Sequence, residues 1–176
     1  MSKVINLSGG AGVGKTTLAA EIFVKMRKMG LSCDLVQEYV KAWSYENRPI
    51  STFDQFYLVG KQIKKESILY GRVDYIITDS PLWLGAVYDN LMNGTNYIEQ
   101  HVDSFTGFAK TKGVEYYDFL LDRIFLYDPV GRYGDEENAK KVDSLMKSYL
   151  ERKKYPYEFL DMAPELRADY IIKKVS

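Results

Sequence analysis

An α/β fold built on a mainly parallel sheet is what this sequence predicts, on three observations. Strand-like apolar runs alternate with segments of helical period along the chain. The first run, Lys3-Val4-Ile5-Asn6-Leu7, passes through a glycine-rich turn directly into a helix. At 176 residues the chain has the length of one domain with a sizeable core.

The elements follow in order. Strand 1 covers about 3–8 and helix 1 about 15–29, where Leu18, Ile22 and Met26 share a face and Gly30 supplies the stop. Strand 2 is read at 33–38. Ser51 can cap a helix over about 52–70 that turns Phe53, Phe56, Tyr57 and Ile63 inward and ends at Gly71. Strand 3 is read at 73–79. Pro81 opens a helix over about 82–92, and Thr95 caps another over about 96–111. Strand 4 is placed at about 122–127. The segment 128–135, with Pro129, Gly131 and Gly134, reads as a loop. A helix over about 136–153 follows, with Glu136–Lys140 and Glu137–Lys141 as i,i+4 pairs. Strand 5 is placed at 170–174. No repeat, low-complexity tract or linker divides the chain, so 1–176 is read as a single domain with 128–135 as a lid-like loop.

Gly9-Gly10-Ala11-Gly12-Val13-Gly14-Lys15-Thr16 fits G-x-x-x-x-G-K-[ST] at every fixed position, between a strand and a helix. Glycines let the backbone curl so that its N–H groups face phosphate oxygens, and the helix N-terminus adds positive potential. Gly10, Ala11, Gly12, Val13, Gly14, Lys15, Thr16 and Thr17 are therefore the candidate nucleotide-binding residues. Lys15 would reach the β- and γ-phosphates, and the Thr16 hydroxyl would ligate Mg²⁺. With five strands in the order read, the fold class is a three-layer α/β/α P-loop NTPase with a five-stranded, mainly parallel sheet.

Composition narrows the classes. The formal net charge is zero, which gives no electrostatic grip on duplex nucleic acid. The single cysteine, Cys33, excludes an intramolecular disulfide and a cysteine-based zinc site. No signal peptide or bilayer-spanning apolar run is seen, so the chain is read as cytoplasmic with no membrane partner.

In open α/β sheets ligands sit beyond the carboxyl ends of the strands. That edge gathers the glycine loop, Glu38, Asp79 and Arg132. Asp79 could hold Mg²⁺ directly or through water, or cap the turn at Ser80-Pro81. Glu38 could orient or deprotonate an acceptor hydroxyl, or pair with Lys41. Arg132, on its glycine-bearing loop, could close over the phosphates or simply face solvent; Arg123 is the weaker candidate. Trp43, Tyr45, Phe56, Tyr57, Gln55 and Gln62 offer the aromatic and amide side chains that suit a flat ring, and Glu38, Tyr39, Trp43, Tyr57 and Gln62 are taken as the candidate acceptor set. Core spacing accounts for Phe53, Phe56 and Tyr57 equally well. His101 reads as a surface histidine.

Other nucleotide-binding classes fit less well. There is no guanine-reading N-K-x-D, and Asp128-Pro129-Val130-Gly131 comes too late for a switch loop. Gly10 stands where partitioning ATPases carry a lysine, and the chain is short for a motor. A small kinase remains. Ile5-Asn6-Leu7 before the glycine loop, Gln37-Glu38-Tyr39-Val40-Lys41, Gly60-Lys61-Gln62, the block from Asp74 to Leu82 and Pro129-Val130-Gly131-Arg132 resemble a family of small P-loop kinases, many of them phage-encoded. The chain is similar to the ribosylnicotinamide kinase domain and to nucleoside and thymidylate kinases. A related phage group phosphorylates 5-hydroxymethyluracil in DNA.

The resemblance implies ATP and Mg²⁺, a small nucleoside or nucleotide acceptor, and roles for Lys15, Thr16, Glu38, Asp79 and Arg132 like those above. It also implies the host cytoplasm if the chain is phage-encoded. One departure is Ser80, where nucleoside and thymidylate kinases commonly carry an arginine. DNA enters as partner only if the acceptor is a base in DNA. The reading from another class is an ATP-dependent binding switch.

Overall fold

The computed structural model describes residues 1–125 and 134–176. Five parallel strands form one sheet in the order β2-β3-β1-β4-β5. They are β1 (Ser2–Ser8), β2 (Cys33–Val36), β3 (Tyr75–Thr78), β4 (Val114–Leu121) and β5 (Tyr157–Leu160). The helices are α1 (Lys15–Lys28), α2 (Lys41–Tyr45), α3 (Asp54–Ser67), α4 (Leu84–Asn93), α5 (Tyr97–Thr111), α6 (Glu136–Lys153) and α7 (Pro164–Val175).

The period of two along the strands sorts side chains between two helical layers. Ile5 and Leu7 of β1, Ile77 of β3 and Phe119 of β4 point to one face, covered by Leu18, Ile22 and Met26 of α1 and Ile171, Ile172 and Val175 of α7. On the other face α3, α4, α5 and α6 contribute Val59, Val87, Ile98, Val102 and Met146. Burial on both faces is why β1 reads as an almost unbroken apolar run. Gly30, at φ +78°, takes the left-handed turn that ends α1, and Leu31 N–H returns to the Met26 carbonyl.

The sequence places the first three strands correctly and the last two wrongly. Strand 4 lies at 114–121, not at 122–127. Its polar residues conceal it: Asp118 is buried in mid-strand, where its carboxylate accepts from Asn6 Nδ2 at 2.9 Å and Trp83 Nε1 at 2.7 Å. The segment 170–174, read as strand 5, belongs to α7. Three consecutive apolar or aromatic residues cannot distinguish a period of two from 3.6. The wider pattern Ala168, Ile171, Ile172, Val175, with Pro164 opening the helix, settles it. The fifth strand is instead the short run Tyr157–Leu160. Buried Arg167 ties the ends of the last two strands together, donating to the carbonyls of Met162 at 3.1 Å and Asp122 at 3.3 Å.

The expected caps also shift. Helix α5 starts after Asn96, and the Thr95 hydroxyl donates instead to Asp89 at 2.6 Å. Ser51 lies before α3 and gives its N–H and hydroxyl to Asp54, both at 2.8 Å. Phe53, Phe56 and Tyr57, expected inward, are exposed. Cys33 is buried and His101 is exposed, as expected. Among the described residues no helix is long and apolar enough to cross a membrane.

Candidate active site

The site opens at the carboxyl ends of β1, β2, β3 and β4. Leaving β1, the chain makes left-handed turns at Gly9 (φ +140°), Gly12 (φ +91°) and Gly14 (φ +90°), conformations that only glycine takes at little cost. Val13, between the last two, is fully buried and anchors the loop from below. Gly14 leads into α1, so Lys15, Thr16 and Thr17 form the first helical turn, the positive end of the helix dipole. The Lys15 ammonium folds back over the loop and donates to the carbonyls of Gly9 at 2.6 Å and Gly10 at 2.9 Å.

Two strand ends are stitched to this turn through Asp79. Its Oδ2 accepts from the Thr16 hydroxyl at 2.6 Å and its Oδ1 from the Glu38 N–H at 2.9 Å. Asp79 is buried, and its carboxylate therefore fixes both the helix start and the end of β2. The Thr16 hydroxyl and the Asp79 carboxylate are adjacent hard oxygen donors beside the loop, a set that fits Mg²⁺ shared with phosphate oxygens. Among the described residues no cluster of three or more His, Cys, Asp or Glu side chains could hold a metal alone.

A cleft of about 730 Å³ runs from the glycine loop between α3 and α4. Ala11, Gly12, Gly14, Lys15, Thr16 and Thr17 line one end; Glu38, Tyr39, Gln55, Gln62 and Tyr88 line the other, with Leu58, Leu91 and Met92 adding apolar wall. Gln62 is buried and spent on structure. Its Oε1 accepts from Tyr39 N–H at 3.1 Å and its Nε2 reaches Thr78 Oγ1 at 3.5 Å. Gln55 is equally buried, and its amide NH₂ meets the Met92 sulfur at 3.5 Å. Trp43 and Tyr57 do not line the cleft. Their rings stack on each other with centroids 6.0 Å apart, Arg48 covers Trp43 at 3.4 Å, and the Tyr57 hydroxyl bonds that of Tyr39 at 2.9 Å. This aromatic group braces Tyr39 from behind.

The structure thus brings the glycine loop, Lys15, Thr16, Asp79, Glu38 and Tyr39 to one place. Arg132, and residues 128–133 of the lid-like loop, lie outside the described residues. One residue at the site is underrated by the sequence reading and two escape it. Arg123, set aside there, follows β4 directly and donates from Nη1 to the Ala11 carbonyl at 2.7 Å. Asp143 of α6 pairs with Arg123 and accepts from the Gly10 N–H. Tyr88 of α4 lines the cleft; burial, then the nearby Glu38 and Asp143 carboxylates, push its phenol upward, which keeps it a neutral donor. Placing β4 at 114–121 would have set Arg123 at the site edge. No local pattern marks Asp143 or Tyr88.

No protein-family model and no curated protein matches the chain. Solved structures do. A deoxyadenosine kinase from M. mycoides, with dCMP and dCDP bound, aligns with 98% of this chain and 98% of its own at 16% identity and a TM-score of 0.61. The same enzyme with dATP bound aligns with the same coverage at 15% identity and TM-score 0.61. APS kinase from Mycobacterium tuberculosis aligns with 99% of this chain and 97% of its own at 12% identity and TM-score 0.54. At these identities the likeness establishes the fold: the chain has the kinase-like P-loop α/β architecture, with an all-parallel five-stranded sheet.

Proposed function

We propose that this protein is an ATP-dependent kinase, a single catalytic domain that transfers the γ-phosphate to a nucleoside, nucleotide or nucleoside-like acceptor. One observation carries the reading. A single cleft joins the glycine loop and the Thr16–Asp79 pair at one end to Glu38 and a half-apolar, amide-bearing chamber at the other. The fold shared with the deoxyadenosine and APS kinases supports it.

The roles follow from chemistry. Backbone N–H groups from Ala11 to Thr17 cradle the β- and γ-phosphates, the Gly10 N–H being given to Asp143, and Lys15 exchanges its loop carbonyls for phosphate oxygens. Thr16, with Asp79 behind it, would hold Mg²⁺, which would supply charge neutralisation at the phosphates. Glu38, on the acceptor side, aligns the attacking hydroxyl and takes its proton. In the chamber, Gln55 offers a paired donor and acceptor to a base edge, and Tyr39 a ring face. Arg132 or a lysine would neutralise charge at the phosphates, since Ser80 stands where nucleoside and thymidylate kinases commonly carry an arginine.

The test is label transfer from γ-labelled ATP·Mg²⁺ to nucleosides, nucleoside monophosphates, ribosylnicotinamide, and DNA with and without 5-hydroxymethyluracil. Label on a free nucleoside or nucleotide, lost in Lys15→Ala, is the expected result. Label on DNA alone would move the acceptor into the polymer. Hydrolysis without transfer, stimulated by a protein partner, would replace the kinase by a nucleotide-dependent switch.

A further inference from the structure

The glycine loop needs its carbonyls turned outward if its N–H groups are to face a phosphate. Three carbonyls are held that way by cations: Gly9 and Gly10 by Lys15, and Ala11 by Arg123. Lys15 must leave its two when it turns to a phosphate. Arg123 does not stand alone. Its Nε donates to Asp143 Oδ2 at 2.8 Å, its Nη2 lies 2.7 Å from the same oxygen, and the other Asp143 oxygen accepts the Gly10 N–H.

The fit is close. A Cβ on Gly10 would collide with the Ala139 carbonyl and lie 2.8 Å from both the Arg123 guanidinium and Asp143. The backbone of α6 therefore rests on the loop, and the ion pair sits in the seam. Only 11% of the Arg123 side chain and 25% of Asp143 are exposed, so the pair is poorly screened by salt.

We propose that Arg123 and Asp143 form a positioning clamp that keeps the first half of the glycine loop curled and bound to α6 while Lys15 is engaged by nucleotide. Neither residue touches the reacting atoms; both act through the loop. This rests on the nucleotide site proposed above.

The test uses Arg123→Lys and Asp143→Asn in the full chain, with folding checked by circular dichroism. A lysine is a point donor and cannot bridge Ala11 and Asp143 as a guanidinium does, whereas Asn still offers Gly10 an acceptor. In the absence of nucleotide, amide hydrogen exchange across residues 9–14 is expected to quicken in Arg123→Lys, and less so in Asp143→Asn. The Kd for ATP is expected to rise about tenfold or more in Arg123→Lys, with acceptor KM little changed. The double variant should lose little beyond Arg123→Lys, because the two groups act as one unit. Unchanged loop exchange and unchanged ATP affinity in folded variants would overturn the clamp. If the unaltered protein bound no ATP, the kinase reading would fall, while the exchange arm would still decide the clamp.

Discussion

At the scale of single residues, the site divides into side chains spent on structure and side chains left for chemistry. Gln62 belongs to the first group, since it bonds two neighbours, and Asp79 serves both, bonding Thr16 and the Glu38 N–H while offering its carboxylate beside the phosphate site. Glu38 contributes its backbone N–H to structure and also lines the cleft on the acceptor side. Glu38→Gln should therefore leave ATP affinity within a few-fold of normal and lower kcat by about 10²–10⁴, the range for loss of a positioned general base. Steady-state kinetics beside equilibrium ATP binding would check it, and a normal kcat would remove the role. A second prediction concerns Glu66, fully buried on α3. Burial pushes its carboxyl up to about 7, against the lowering effect of the Tyr70 hydroxyl bound to it, and nearby Asp118 raises it further. The folded state thus holds a proton that the unfolded chain, with an ordinary value of 4.5, releases earlier. The stabilisation is complete below pH 4.5 and is lost as pH rises through about 7. Urea unfolding at pH 5 and pH 8 should show this loss, and Glu66→Gln should shrink it.

At the scale of elements, α7 gives the clearest test of the corrected fold. Ile171 is fully buried against the α1 side of the sheet, and the neighbouring Tyr170 is 37% exposed. Ile171→Ala should cost about 2–5 kcal/mol in denaturant unfolding, while Lys173→Ala, on the exposed face, should cost little. The sequence made the phosphate-binding half of the molecule legible because strand, glycines and helix are contiguous there, and each carries a strong local signal. Glu38 and Asp79 were legible because they follow apolar runs whose ends mark the sheet edge. The acceptor half was not. Trp43 and Tyr57 look like a stacking platform in the sequence, yet they pack on each other behind Tyr39. Asp143 sits on a helix whose pattern says only which face is apolar. What brings it to the loop is the passage of α6 over Gly10, a tertiary contact without a sequence period.

At the scale of the whole molecule, the nucleotide and the fold should stabilise each other. Ligand at a hundred times its Kd adds about 2.7 kcal/mol, which in a domain of this size raises Tm by roughly 5–10 °C. ATP·Mg²⁺ should produce such a shift in a thermal melt and Lys15→Ala should abolish it; an equal shift in both would place the nucleotide elsewhere. The central position of β1 has a separate consequence. Its two sheet partners come from far along the chain: Ser2 bonds Val73 across 71 residues, and Asn6 bonds Asp118 across 112. Such distant pairings are slow to form, because the intervening chain must be gathered before any contact rewards it. On the ribosome, the glycine loop leaves the exit tunnel before β4, Arg123 and Asp143 of α6 have been synthesised, so the contacts that hold it form only when they follow. The segment with the strongest local signature is thus among the last to acquire its working form.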